Sequence, residues 1–199
     1  MKMSATQNNQ IIVVTGLPRS GTSMMMKMLE AGGVPPLCDG HRAADSDNPN
    51  GYYEFEPVKR TKDCPDWLQQ CSGKAVKMVY SLMYDLPVDR RYDVIFMRRD
   101  LNEILDSQRR MLQNMQLNPG INDERMARLF SGEIIRFRKW IAKSNHVRCL
   151  EVPYNDIAAG REKPIDHINA HLGGKLNTSA MASIVDPSLY RNRAASKAA

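Results

Sequence analysis

Long apolar runs are missing from this chain of 199 residues. No stretch approaches the roughly 18–20 residues that span a bilayer, so no membrane partner is expected. The opening residues Met1 to Gln10 lack the apolar segment of a secretory signal, which gives the expectation of a cytoplasmic protein. Cysteine is scarce. Cys38, Cys64, Cys71 and Cys149 stand at irregular spacings with no Cys-x-x-Cys pair, so free thiols are expected and a structural zinc site is not. His167 and His171 are four apart but lack the intervening glutamate of a metalloprotease helix, and read as helix surface. No metal is expected. Repeats and internal linkers are also absent, so residues 1–199 read as one domain, with disordered ends over about 1–9 and 192–199.

What is present is an ordinary globular composition, 42% hydrophobic and 25% charged, able to bury a core. The net charge is +6 and favours an anionic partner: a nucleotide, a nucleic acid or a membrane surface. A merely solvated basic face fits the same charge. The arginines at 109–110 and 136–138 lie mostly on the polar face of helices, so solvation accounts for them and no nucleic-acid partner is expected.

Ile11 to Thr15 is a short β-branched run stopped by Gly16, which predicts a buried parallel strand. Thr22 to Ala31, rich in Met and Leu, predicts a helix ended by Gly32-Gly33. Residues 34–58 are dense in Pro, Asp, Asn and Gly and predict a long ordered loop or lid. Val58 to Cys71 predicts a helix interrupted or restarted at Pro65. Further strands are expected at Ala75–Tyr80, Val94–Met97 and Arg148–Val152. Asp100-x-x-Glu103 has the form of a capping box opening a helix to about Met115. Over 123–143, Met126, Phe130, Ile134, Phe137 and Ile141 recur on one face of an amphipathic helix. Pro164 starts a last short helix that ends at Gly173-Gly174. Strands alternating with helices imply an α/β fold, a doubly wound, mostly parallel sheet.

The strongest chemical signal is Gly16-Leu-Pro-Arg-Ser-Gly-Thr-Ser23, set between the first strand and the first helix. Backbone N–H groups at a helix start have no intrahelical partners and the local dipole is positive, so such a loop can wrap an anion. Gly16 and Gly21 allow the turn; Ser20, Thr22 and Ser23 add hydroxyls. A nucleoside-triphosphatase loop ends Gly-Lys-Ser/Thr, with the lysine on the terminal phosphates. Here Thr22 replaces that lysine and the cation stands earlier, at Arg19. Such a loop can grip phosphate without a bridging metal.

Pro18 to Ser23 resembles the 5′-phosphosulfate loop of the sulfotransferase family, and the resemblance covers most of the chain. It implies a phosphate-loop-like sulfotransferase that moves a sulfuryl group from 3′-phosphoadenosine 5′-phosphosulfate to a hydroxyl or amine of a small acceptor, without a metal. Ser20, Gly21, Thr22 and Ser23 would hold the 5′-phosphate, and Arg19 would reach the bridging oxygen and the transferring group. Many members have lysine there; arginine keeps the charge but does not give up its proton. Arg99, eight residues before Ser107, resembles the family's 3′-phosphate pair, with Arg98 as the other candidate ligand. Tyr154, in Tyr154-Asn155-Asp156, resembles the family's adenine-contacting tyrosine. Asp186-Pro-Ser-Leu-Tyr-Arg191 resembles the C-terminal segment of bacterial members, where Arg191 would close over the nucleotide.

Many cytosolic members place a histidine just after a lysine on the second strand. Here Lys77 is followed by Met78, Val79 and Tyr80, so the usual base is missing. Glu54, in Asn48-Pro-Asn-Gly-Tyr-Tyr-Glu-Phe-Glu56, is the favoured replacement, with Glu56 and His41 as the others. Lys77 would hold the sulfuryl oxygens or simply end a strand. The expected acceptor is a small polar metabolite or sugar bound under residues 36–56. Three readings stay open beside this one: a small-molecule kinase, a nucleic-acid module, and a family member that binds nucleotide without turnover. The oligomeric state is not legible.

Overall fold

A computed structural model describes residues 10–45, 48, 51–117 and 122–186. The expected tails at 1–9 and 192–199, and Arg191 with most of the segment before it, lie outside the described residues. The predicted opening unit forms as read: β1 spans Gln10–Gly16 and α1 spans Thr22–Ala31, with Gly32 as its C-cap. β2 (Pro36–Leu37) and β3 (Ala75–Lys77) follow, then β4 (Arg91–Arg98), α2 (Leu101–Asn114), α3 (Asp123–Lys143) and β5 (Val147–Pro153). The chain continues through α4 (Tyr154–Ala158), α5 (Lys163–His171) and α6 (Thr178–Ser183).

All five strands are parallel, in the order β2-β3-β1-β4-β5. Alternation along each strand sends side chains to two cores. Ile11 and Val13 of β1 join Tyr92, Val94 and Phe96 of β4 under Phe137 of α3. Val14 joins Ile95 and Met97 on the other face, under the methionines of α1 and Ile157, Ile168 and Met181. The sheet is therefore covered by helices on both sides. Among the described residues no helix is long and apolar enough to cross a membrane.

Several segments differ from expectation for local reasons. Val58–Cys71 is interrupted at Pro65 as expected, but its pieces belong to two 3-10 segments, Glu56–Arg60 and Pro65–Cys71. Cys64 between them is out of helical geometry (φ −144°, ψ 83°), since a following proline disfavours the helical region. β3 stops at Lys77 and the chain turns into a 3-10 segment at Tyr80–Asp85. The capping box is half formed. Asp100 accepts from the amides of Asn102 (2.9 Å) and Glu103 (3.3 Å), but the Glu103 carboxylate turns elsewhere. β2, α4 and α6 were not expected; at two, five and six residues they carry too few positions to show a period.

Because every strand runs the same way, the residues that follow β1, β3, β4 and β5 emerge at one edge of the sheet. In open α/β sheets that carboxyl edge is where ligands bind. Arg19, Lys77, Arg99 and Tyr154 all sit there.

Candidate functional site

The turn between β1 and α1 is built around open donors and a strained cation. Gly21 caps α1 with φ 92°, and no side chain caps the helix start. The first turn carries no acidic residue. Ser20 is fully buried, and its hydroxyl has no hydrogen-bond partner. An anion seated at this helix start would meet unpaired backbone N–H groups and the positive end of the dipole. Arg19 adopts φ 66°, a left-handed conformation that costs a non-glycine residue about 1–2 kcal/mol.

Arg99 holds that conformation from below. Its NH1 donates to the Arg19 carbonyl at 3.1 Å. The Arg19 Nε in turn donates to Ser107 Oγ at 3.0 Å. Loop and α2 are thus within direct reach of each other, and the residues expected to hold the two phosphates share one site. Arg99 is nearly buried, with its side chain 7% exposed, and its Nε donates to Glu103 Oε2 at 3.0 Å. Glu103 also accepts from Asn155 Nδ2 at 2.9 Å, which explains why it does not complete the capping box. The Arg99 guanidinium lies 4.5 Å above the Tyr154 ring, in cation–π contact. Burial pushes the Tyr154 hydroxyl pKa up. Arg98 is exposed and does not line the cavity, so Arg99 is the ligand candidate of the two.

Tyr154 also explains why residue 21 is glycine. A Cβ there would overlap the Tyr154 ring, and φ 92° is costly for any L side chain. Gly21→Ala is expected to lower stability by about 2–4 kcal/mol, from left-handed strain plus overpacking. A urea midpoint unchanged from the parent would contradict this packing account.

A cavity of about 750 Å³ opens over these groups. Its lining includes Arg19, Gly21, Thr22, Ser23, Glu54, Lys77, Arg99, Ser107 and Tyr154. Arg42, Asn48, Tyr52, Glu54 and Phe55 form its roof, which is tied to the β1–α1 turn by Asn48, whose Nδ2 donates to Ser23 Oγ at 2.8 Å. Lys77 donates to the Tyr52 carbonyl and is largely buried. Loss of hydration lowers its pKa to about 8, with Glu54 opposing and Arg42 reinforcing the shift.

The base candidates separate by position. His41, with a side chain 75% exposed, and Glu56, exposed and paired with Lys59, do not line the cavity. Glu54 does line it, and pairs with Arg42 at 3.1 Å. Arg42 stacks on the Tyr52 ring at 3.4 Å, so Glu54 is part of the roof's own bracing. Three cations in the lining were missed from sequence: Arg42 and Lys59, each paired with a glutamate, and Arg110, one helical turn past Ser107. Its i, i+3 spacing from Ser107 was the available signal.

No protein-family model and no curated protein sequence matches the chain. Solved structures do resemble it. The sulfotransferase domain from the Synechococcus PCC 7002 olefin synthase is 16% identical with a TM-score of 0.57, over 100% of this chain and 93% of that one. The sulfotransferase domain from the curacin biosynthetic pathway is 12% identical with a TM-score of 0.51, over 91% of this chain and 89% of that one. A five-stranded parallel sheet between two helical layers, superposable on both domains along nearly its whole length, gives this chain a sulfotransferase-like α/β fold.

Proposed function

We propose that the chain transfers a sulfuryl group from 3′-phosphoadenosine 5′-phosphosulfate to the hydroxyl of a small acceptor. The observation that carries this reading is the contact between its two predicted phosphate sites: Arg99 to the Arg19 carbonyl, and Arg19 to Ser107. The fit to the donor rests on the open helix start and on Thr22 and Ser23, which line the cavity; Ser20 is fully buried with its hydroxyl turned toward Gly16 and does not line it. Gly21, Thr22 and Ser23 would hold the 5′-phosphate, and Arg99 with Ser107 the 3′-phosphate. Glu103 neutralises Arg99, so a doubly charged phosphate needs a further cation, which Arg110 supplies from the same side of α2. Tyr154 keeps Arg99 and the loop in register beneath the nucleotide and borders the adenine.

The donor, when bound, supplies an activated sulfuryl group on a phosphate leaving group. Arg19 stabilises the charge that gathers on the bridging oxygen as its bond to sulfur breaks. Lys77 takes the proton from the acceptor hydroxyl as the new oxygen–sulfur bond forms. A buried amine with a pKa near 8 is matched to that task near neutral pH. Glu54 is the weaker choice, because protonating it would cost the Arg42 ion pair. Its role is to brace the roof over the acceptor.

Incubation with labelled donor in the presence of a chelator tests the reading. Label should pass to an acceptor without magnesium. Turnover of ATP only on adding magnesium would instead favour the kinase reading, and tight nucleotide binding with no transfer the inactive one.

A further inference from the structure

Asn48, in the roof, touches a hydroxyl in the first turn of α1. Its side-chain amide sits between two oxygens, the Gly51 carbonyl and Ser23 Oγ, each 2.8 Å from Nδ2. A carbonyl oxygen only accepts, so the atom facing Gly51 is the nitrogen, and that bond fixes the orientation of the amide. One amide proton goes to Gly51 and the other to Ser23. Ser23 Oγ therefore accepts, and its own proton is left to point elsewhere. Ser23 lines the cavity at a helix start that favours an anion. Asn48 is itself held in place: its backbone amide donates to Asp45 Oδ1 at 2.9 Å, and its carbonyl accepts from the Gly51 amide at 3.0 Å. Asp45 in turn accepts from the hydroxyl of buried Tyr52 at 2.7 Å. A buried aromatic thus anchors the turn that aims the amide.

We infer that Asn48 is a positioning residue for the 5′-phosphate, an assignment that rests on the sulfuryl-donor reading. By donating to Ser23 Oγ it turns the Ser23 hydroxyl proton toward the phosphate oxygens. A serine hydroxyl rotates to suit its neighbours, and donates in any direction unless one of them occupies a lone pair. Fixing that rotor before the nucleotide arrives removes part of the ordering cost from binding. Asparagine suits this task and aspartate does not. A carboxylate would accept the Ser23 proton, drawing it off the phosphate, and would set a second negative charge beside it. The 5′-phosphate site is therefore completed by the roof, 25 positions along the chain from Ser23.

The test is calorimetry of the full chain with 3′-phosphoadenosine 5′-phosphate and with adenosine 3′-monophosphate, which lacks the 5′-phosphate. Asn48→Ala should weaken the bisphosphate about three- to tenfold, the worth of one ordinary hydrogen bond, and leave the monophosphate within about twofold. Asn48→Asp should cost the bisphosphate more, at least about tenfold, since the proton is withdrawn and a charge is added. In a Ser23→Ala background, Asn48→Ala should have no further effect, because the pair acts through one hydroxyl. An unchanged bisphosphate affinity, equal losses for both nucleotides, an Asn48→Ala effect that persists without the Ser23 hydroxyl, or aspartate no worse than alanine overturns the inference alone. Asn48 would then serve only the roof, through Gly51. A parent chain that binds the two nucleotides equally has no 5′-phosphate site, which defeats the donor reading and this inference with it.

Discussion

Lys77→Arg is expected to lower kcat for sulfuryl transfer by about 10²–10⁴-fold, the range a positioned acid–base group contributes, without changing nucleotide affinity. The substitution keeps a positive charge at the end of β3 but removes the ability to accept a proton, since arginine is always charged. It therefore separates two roles that Lys77→Ala would confound. If Lys77 only holds sulfuryl oxygens, arginine should retain most of the rate. The pH profile makes the same distinction. Burial disfavours the charged amine, so the pKa falls from 10.5 to about 8 and the neutral, proton-accepting form grows as pH rises toward that value. With Lys77 as base, kcat/KM climbs below about pH 8 and levels above it. With Lys77 as an electrostatic clamp it falls through the same range. Glu54→Gln completes the comparison: a modest effect is expected, and a collapse of turnover would move the proton to Glu54.

The second large effect concerns Arg99. Removing it alone would strand Glu103, a carboxylate only 2% exposed, and breaking a buried pair from one side costs about 3–5 kcal/mol. The informative variant is Arg99→Met with Glu103→Gln, which removes both charges together. It should bind 3′-phosphoadenosine 5′-phosphate about 10–100-fold more weakly, matching the loss of a hydrogen bond to a charged group. AMP, which has no 3′-phosphate, should lose much less. The double variant also withdraws the donor to the Arg19 carbonyl, so some loss for AMP through the strained loop is expected. An equal loss for both nucleotides would mean that Arg99 supports the loop and does not touch the 3′-phosphate.

Much of this site was legible because it depends on residues local to strand ends. The β1 loop announces itself through Gly16, Arg19 and Gly21 around a β-branched run, and Arg99 through its place just before Asp100, a helix cap. A parallel sheet then does the rest, delivering every strand end to one edge. What stayed hidden depends on contacts between distant segments. The turn of Glu103 away from its cap follows from Asn155, 52 positions later, and nothing in Asp100-x-x-Glu103 reveals it. The lowered pKa of Lys77 follows from its burial, and its contact with the Tyr52 carbonyl joins segments 25 positions apart. Over Val58–Cys71 the break at Pro65 was local and legible, whereas the 3-10 winding of both pieces was not.

The central claim is that the Arg19 loop and Arg99 together seat one nucleotide phosphorylated at both its 3′ and 5′ positions. Titration calorimetry of the intact chain with 3′-phosphoadenosine 5′-phosphate and with AMP, both in chelator, measures this directly. The account predicts that the 3′-phosphorylated nucleotide binds at least about tenfold more tightly, as one added charge-assisted contact requires. Equal affinities would contradict it.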